Sequence, residues 1–133
     1  MQPKVLGVHH IAIKAKGIEK FEQLLSFYHD ILGMPIVRRW GTEQAPVVMG
    51  DTGAGKLELF ANAPDELGEG ALRHLAFAVE DVDECSEAVR AAGYRITVEP
   101  KDMMLGTPEH PYPVRLGFCV GPVGESVEFF TEK

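Results

Sequence analysis

The chain has 133 residues, 45% of them hydrophobic and 25% charged, the proportions of a soluble globular protein able to bury a core. A net charge of −7, with no Lys/Arg run interleaved with aromatics, excludes nucleic acid as the expected partner, and the absence of roughly 18 uninterrupted apolar residues argues against a membrane span. The opening residues Met1 to Gly7 hold no apolar segment of signal-peptide length, so the expected location is cytoplasmic. Cys85 and Cys119 are the two cysteines; they lack CxxC spacing, which points to buried small hydrophobes and away from a disulfide framework or thiolate zinc site.

Val5 to Ala15 alternates, with Ile11 and Ile13 on one side and His10, Ala12 and Lys14 on the other, which predicts a half-buried strand. Phe21, Leu24, Leu25, Tyr28, Ile31 and Leu32 then form the stripe of an amphipathic helix that stops at Gly33. Pro35 to Trp40, Ala45 to Met49 and Lys56 to Ala61 read as three short strands separated by glycine-containing turns. The order repeats. A strand from Arg73 to Val79 leads into a helix from Asp81 to Ala92, with Asp81 and Glu84 resembling a capping box and Gly93 as its stop. Tyr94 to Glu99, Val114 to Val120 and Ser126 to Thr131 supply the last three strands.

The expected fold is therefore α+β: two βαβββ modules, residues 1–62 and 71–133, joined by a linker at 63–70. Their strands build a curved, mostly antiparallel sheet around a cleft, with the helices outside. The halves differ in one place. Gly33 to Glu58 spans 25 positions and Gly93 to Glu128 spans 35, and the excess falls in Lys101 to Pro113, which reads as an inserted loop.

Each half pairs a strand opening on His with a later strand carrying a Glu between hydrophobics: His10-Ile11-Ala12-Ile13 with Leu57-Glu58-Leu59-Phe60, and His74-Leu75-Ala76-Phe77 with Val127-Glu128-Phe129-Phe130. Alternation puts the bulky residues of each strand on the side expected beneath the helix. His10, Ala12, His74, Ala76 and Ala78 are left on the other side with Glu58 and Glu128. Small residues beside an imidazole make a poor core layer but leave room for a small molecule. If the halves fold alike and face each other, two imidazoles and two carboxylates converge, a donor set suited to Zn, Ni, Co, Fe or Mn.

These residues resemble the vicinal oxygen chelate superfamily, which includes glyoxalase I, methylmalonyl-CoA epimerase, extradiol dioxygenases and fosfomycin- and bleomycin-resistance proteins. The likeness extends to Phe27-Tyr28-His29-Asp30-Ile31-Leu32-Gly33-Met34 and covers nearly the whole chain. It implies metal ligands His10, Glu58, His74 and Glu128, a set similar to that of glyoxalase I. It also implies a homodimer and a lyase or isomerase acting beside a metal-bound carbonyl, with Glu128 or Glu58 as the base; the alternatives are an acyl-thioester epimerase and a non-catalytic resistance protein that binds an antibiotic or other ligand. The turn Gly121-Pro122-Val123-Gly124 departs from the Asp-Pro-Asp-Gly common in that family.

For substrate binding, Arg115 is expected on the cavity side of its strand, opposite Leu116 and Phe118, as a clamp for a carboxylate or phosphate. Arg39 is a second such cation, and Met103 and Tyr112 could form an apolar lid within the inserted loop. His9 has the wrong parity for a ligand and reads as structural or at the strand edge, and His29 on the first helix and His110 in the inserted loop are not expected to be ligands. Gly50 to Lys56 nearly spells a phosphate-binding loop, but Leu57 replaces the required hydroxyl and a strand follows in place of a helix.

Overall fold

The computed structural model describes residues 6, 8–66, 70 and 72–133. Val5 and Gly7 of the first predicted strand, and Leu67 to Glu69 of the predicted linker, lie outside the described residues. The chain divides into two units, 1–66 and 67–133. Each unit is α+β, with one helix and a four-stranded mixed sheet.

In the first unit, β1 (His10–Lys14) is followed by α1 (Gly17–Leu25), β2 (Ile36–Gly41), β3 (Pro46–Asp51) and β4 (Lys56–Phe60). The sheet order is β1-β4-β3-β2. β1 runs parallel to β4, which the intervening helix permits, and the two hairpins make the remaining pairs antiparallel. α1 packs against β4 and continues as a wider π-helical turn over Ser26–Ile31, where the amide of Leu32 bonds the carbonyl of Phe27. This widening answers a packing demand that helical spacing misses. It lets the neighbours Phe27 and Tyr28 both turn inward, each at most 1% exposed, with their rings edge to face at 4.8 Å. Gly33, at a φ of +74°, ends the segment where only glycine is unstrained.

The second unit repeats the order: β5 (Leu75–Ala78), α2 (Val82–Ala91), β6 (Ile96–Gly106), β7 (Pro111–Val120) and β8 (Ser126–Glu132). Its sheet order is β5-β8-β7-β6, with β5 parallel to β8. Asp81 caps α2 by accepting the Glu84 amide at 3.0 Å. The predicted loop from Lys101 to Pro113 is instead a hairpin. Its residues lengthen β6 and β7, which pair from Lys101↔Leu116 to Gly106↔Pro111 around a turn at Thr107 to His110. Pro111 and Pro113, which read as loop punctuation, are tolerated because β7 pairs with β8 only from Val114 onward. Gly106, at a φ of +79°, lets the chain reverse where a Cβ would collide with the His110 carbonyl.

Candidate functional site

The parallel pairs place the duplicated residues in identical register. Ala12 lies opposite Glu58 and Ala76 opposite Glu128, so in each unit the His two positions before the alanine shares a face with the Glu. The side chains meet. His10 Nε2 is 3.6 Å from Glu58 Oε1, and His74 Nε2 is 3.2 Å from Glu128 Oε1. In both pairs the imidazole is about two-fifths exposed, whereas the carboxylates are only 13% and 8% exposed. Burial pushes the Glu128 carboxyl above its ordinary range, and the adjacent His74 offsets part of that rise. The helix-facing sides carry the core as alternation predicts: Leu57, Leu59, Val127 and Phe129 are each at most 1% exposed.

Each unit thus holds one His–Glu pair. Among the described residues no group of three or more His, Cys, Asp or Glu side chains gathers.

On β7 the alternation is opposite to the one expected, and this corrects the reading of Arg115. Phe118 lies opposite Glu128 in the sheet and meets the His74 ring edge to face at 5.3 Å. Leu116 and Phe118 therefore share the face of Glu128. Arg115, Gly117 and Cys119 turn toward α2. A Cβ on Gly117 would sit 3.2 Å from Ser86 Oγ of that helix, so the small residues are there to admit it. Arg115 makes a two-pronged bond to Asp83 at 2.7 and 2.8 Å and donates to Asp102 at 3.1 Å. Its fork fastens α2 to the long hairpin instead of facing the carboxylate side of the sheet.

The register likewise puts Arg39 opposite Val48, on the helix-facing side, while Arg38 lies opposite Met49 and so shares the face of Glu58. A register shift between Ile36 and Arg38 exchanges the two arginines. Met103 pairs with Val114 and Tyr112 with Leu105, on the side of the sheet that bears Glu128. Met103 is 37% exposed, and the Tyr112 hydroxyl donates to Glu132 at 2.6 Å. They extend that face as strand residues, not as a loop.

His29 donates from Nδ1 to the Met34 carbonyl, 2.7 Å away, and His110 belongs to the hairpin turn. In the glycine-rich turn between β3 and β4, the Gly53 and Gly55 amides bond Asp51 and Thr52 side chains, so those donors are not offered to a phosphate. Alternation could not reveal one further contact at the site. His9, of opposite parity to His10, nonetheless brings its Nδ1 to within 2.9 Å of His10 Nδ1. Adjacency in sequence was its only signal.

A family model for the Glyoxalase/Bleomycin resistance protein/Dioxygenase superfamily matches residues 7–110. The chain is 30% identical to a lactoylglutathione lyase from Neisseria meningitidis over 93% of this chain and 89% of that one. It is 31% identical to a probable lactoylglutathione lyase from Synechocystis over 90% of each. In fold it is similar to the crystal structure of SMU.1112c, with a TM-score of 0.69 at 24% identity over 96% and 99% of the two chains. It is also similar to a glyoxalase I mutant from Zea mays, with a TM-score of 0.71 at 21% identity over 91% of this chain and 43% of that one. The chain belongs to the Glyoxalase/Bleomycin resistance protein/Dioxygenase superfamily.

Proposed function

We propose that this protein is a metal-dependent lyase or isomerase of the glyoxalase I type, in which His10, Glu58, His74 and Glu128 form the ligand set of one divalent ion. The observation that carries this reading is the recurrence of a His–Glu pair in the same register of both units. The donors fit such an ion: each imidazole presents Nε2 toward a carboxylate that is largely withdrawn from water, and imidazole with carboxylate suits Zn, Ni, Co, Fe or Mn. Relatives at about 30% identity named as lactoylglutathione lyases support the activity class.

The ion, when bound, supplies Lewis acidity toward the neighbouring oxygens of a small oxygen-rich substrate. The chain supplies the base. Glu128 is the more deeply buried carboxylate, and burial strengthens its hold on a proton. It takes the proton from the carbon beside the carbonyl and returns it to the adjacent carbon, a net transfer between neighbouring carbons. The exposed alanines Ala12, Ala76 and Ala78 keep β1 and β5 free of bulk on the side that bears the carboxylates.

Elemental analysis of protein purified without chelator is expected to give one transition metal ion per chain. The hemithioacetal of methylglyoxal and glutathione is expected to be converted to a thioester by the loaded protein, and Glu128→Gln is expected to lower kcat by about 10²–10⁴-fold. Failure to take up any transition metal would overturn the reading, as would full activity in Glu128→Gln. Two ions per chain would refute a shared ligand set.

A further inference from the structure

We infer that His9 is a positioning residue for His10: its Nδ1 accepts the Nδ1 proton of His10 and thereby leaves His10 Nε2 free to bind metal. The inference rests on the metal reading above and adds to it a residue outside the ligand set.

The geometry is restrictive. The two Nδ1 atoms are 2.9 Å apart and the rings stand nearly perpendicular, at 85°. At that distance two lone pairs repel and two N–H groups collide, so one proton lies between the rings. A His10 that binds metal through Nε2 must carry its proton on Nδ1. It then donates to His9, whose own proton sits on Nε2. Any other assignment puts a proton on His10 Nε2, the atom that faces Glu58. His9 is held for this task by its backbone, since its carbonyl accepts the Lys56 amide at 2.9 Å and ties it to the start of β4, two residues before Glu58.

Among the described residues His74 has no counterpart of this device. The residue before His74 is Arg73, which has no acceptor to offer an imidazole N–H, and the ring contact of His74 is with Phe118. The duplicated pairs are therefore supported differently: one imidazole by a hydrogen-bonding partner, the other by an aromatic wall. Partners that fix the far nitrogen of a metal-binding His commonly change metal affinity by 10–100-fold.

Three variants of the full-length chain are compared by Zn²⁺ titration calorimetry: wild type, His9→Phe and His9→Asn. Phenylalanine keeps a ring without an acceptor, and asparagine places Oδ1 where imidazole has Nδ1. His9→Phe is expected to bind Zn²⁺ about 10–100-fold more weakly, and His9→Asn to stay within about threefold of wild type. Wild-type affinity in His9→Phe overturns the inference and leaves the metal site standing, and so does an equal loss in both variants. A wild type that binds no Zn²⁺ overturns both. Long-range ¹H–¹⁵N spectra of the Zn²⁺-loaded wild type test the same point without a variant: His9 is expected as the Nε2–H tautomer, and the Nδ1–H tautomer refutes the role.

Discussion

Adjacent positions on β4 separate the two faces of the first sheet. Leu59 is 1% exposed on the helix-facing side, so Leu59→Ala removes most of a fully buried side chain and leaves a cavity, at a cost of about 2–5 kcal/mol. Near the middle of that range, roughly 3 kcal/mol, the melting temperature of a unit this small falls by roughly 12–24 °C. Glu58→Gln keeps the shape of the side chain and gives up one ion-pair contact, at 3.6 Å, to a half-exposed imidazole, a loss of about 0–1 kcal/mol. Its effect belongs in metal affinity, which is expected to fall by at least about tenfold. Circular-dichroism melting of metal-free protein and Zn²⁺ calorimetry read the two quantities separately. Comparable destabilisation by both substitutions would refute the assignment of faces, as would a Glu58→Gln variant with wild-type affinity.

Two further predictions concern the second unit. The Asp83 carboxyl is held below its usual range by Arg115, and that of Asp102 by Lys133 and Arg115. The stability these groups contribute is complete above the ordinary carboxylate range and is lost as pH falls through their lowered values. Arg115→Met is therefore expected to start less stable at neutral pH and to lose less on acidification in urea unfolding; an acid profile parallel to wild type would refute the role of the fork. Burial, with Glu125 and Cys85 nearby, pushes the Cys119 thiol up to about 12. Iodoacetamide at pH 8 is accordingly expected to spare Cys119 until the protein is denatured, and rapid labelling of native protein, read by mass spectrometry, would contradict this.

Where the sequence could be read, one variable was enough. In β1, β4 and β8 a single alternation decides which side a residue takes, and those strands deliver His10, Glu58 and Glu128 to the expected face. It fails where a second partner sets the packing. On β7 size was a poor guide: Gly117 and Cys119 face the helix because α2 sits close above them, while Leu116 and Phe118 crowd the side of the carboxylate. The register shift in β2 exchanged Arg38 and Arg39, and no local residue announces it. The long hairpin was unreadable for another reason. Prolines at 111 and 113 signal a loop in isolation, and only the pairing of β7 with β6 alone at that end makes them strand residues.

The burial of Glu128 offers a test that separates a metal ligand from a structural partner of His74. A carboxylate side chain 8% exposed, pushed upward by desolvation more than it is relieved by His74, is a net liability to the metal-free fold at neutral pH. A glutamine or an apolar side chain would remove that cost. If the charge is retained for a cation, Glu128→Gln removes the liability together with the ligand. The metal-free variant is then expected to melt above wild type, by about 4–8 °C for each 1 kcal/mol recovered, while saturating Zn²⁺ reverses the order because only the wild type gains binding energy from the ion. Melting curves of both proteins with and without Zn²⁺ decide the matter. A metal-free Glu128→Gln less stable than wild type would mean that the His74–Glu128 contact holds the fold together on its own account.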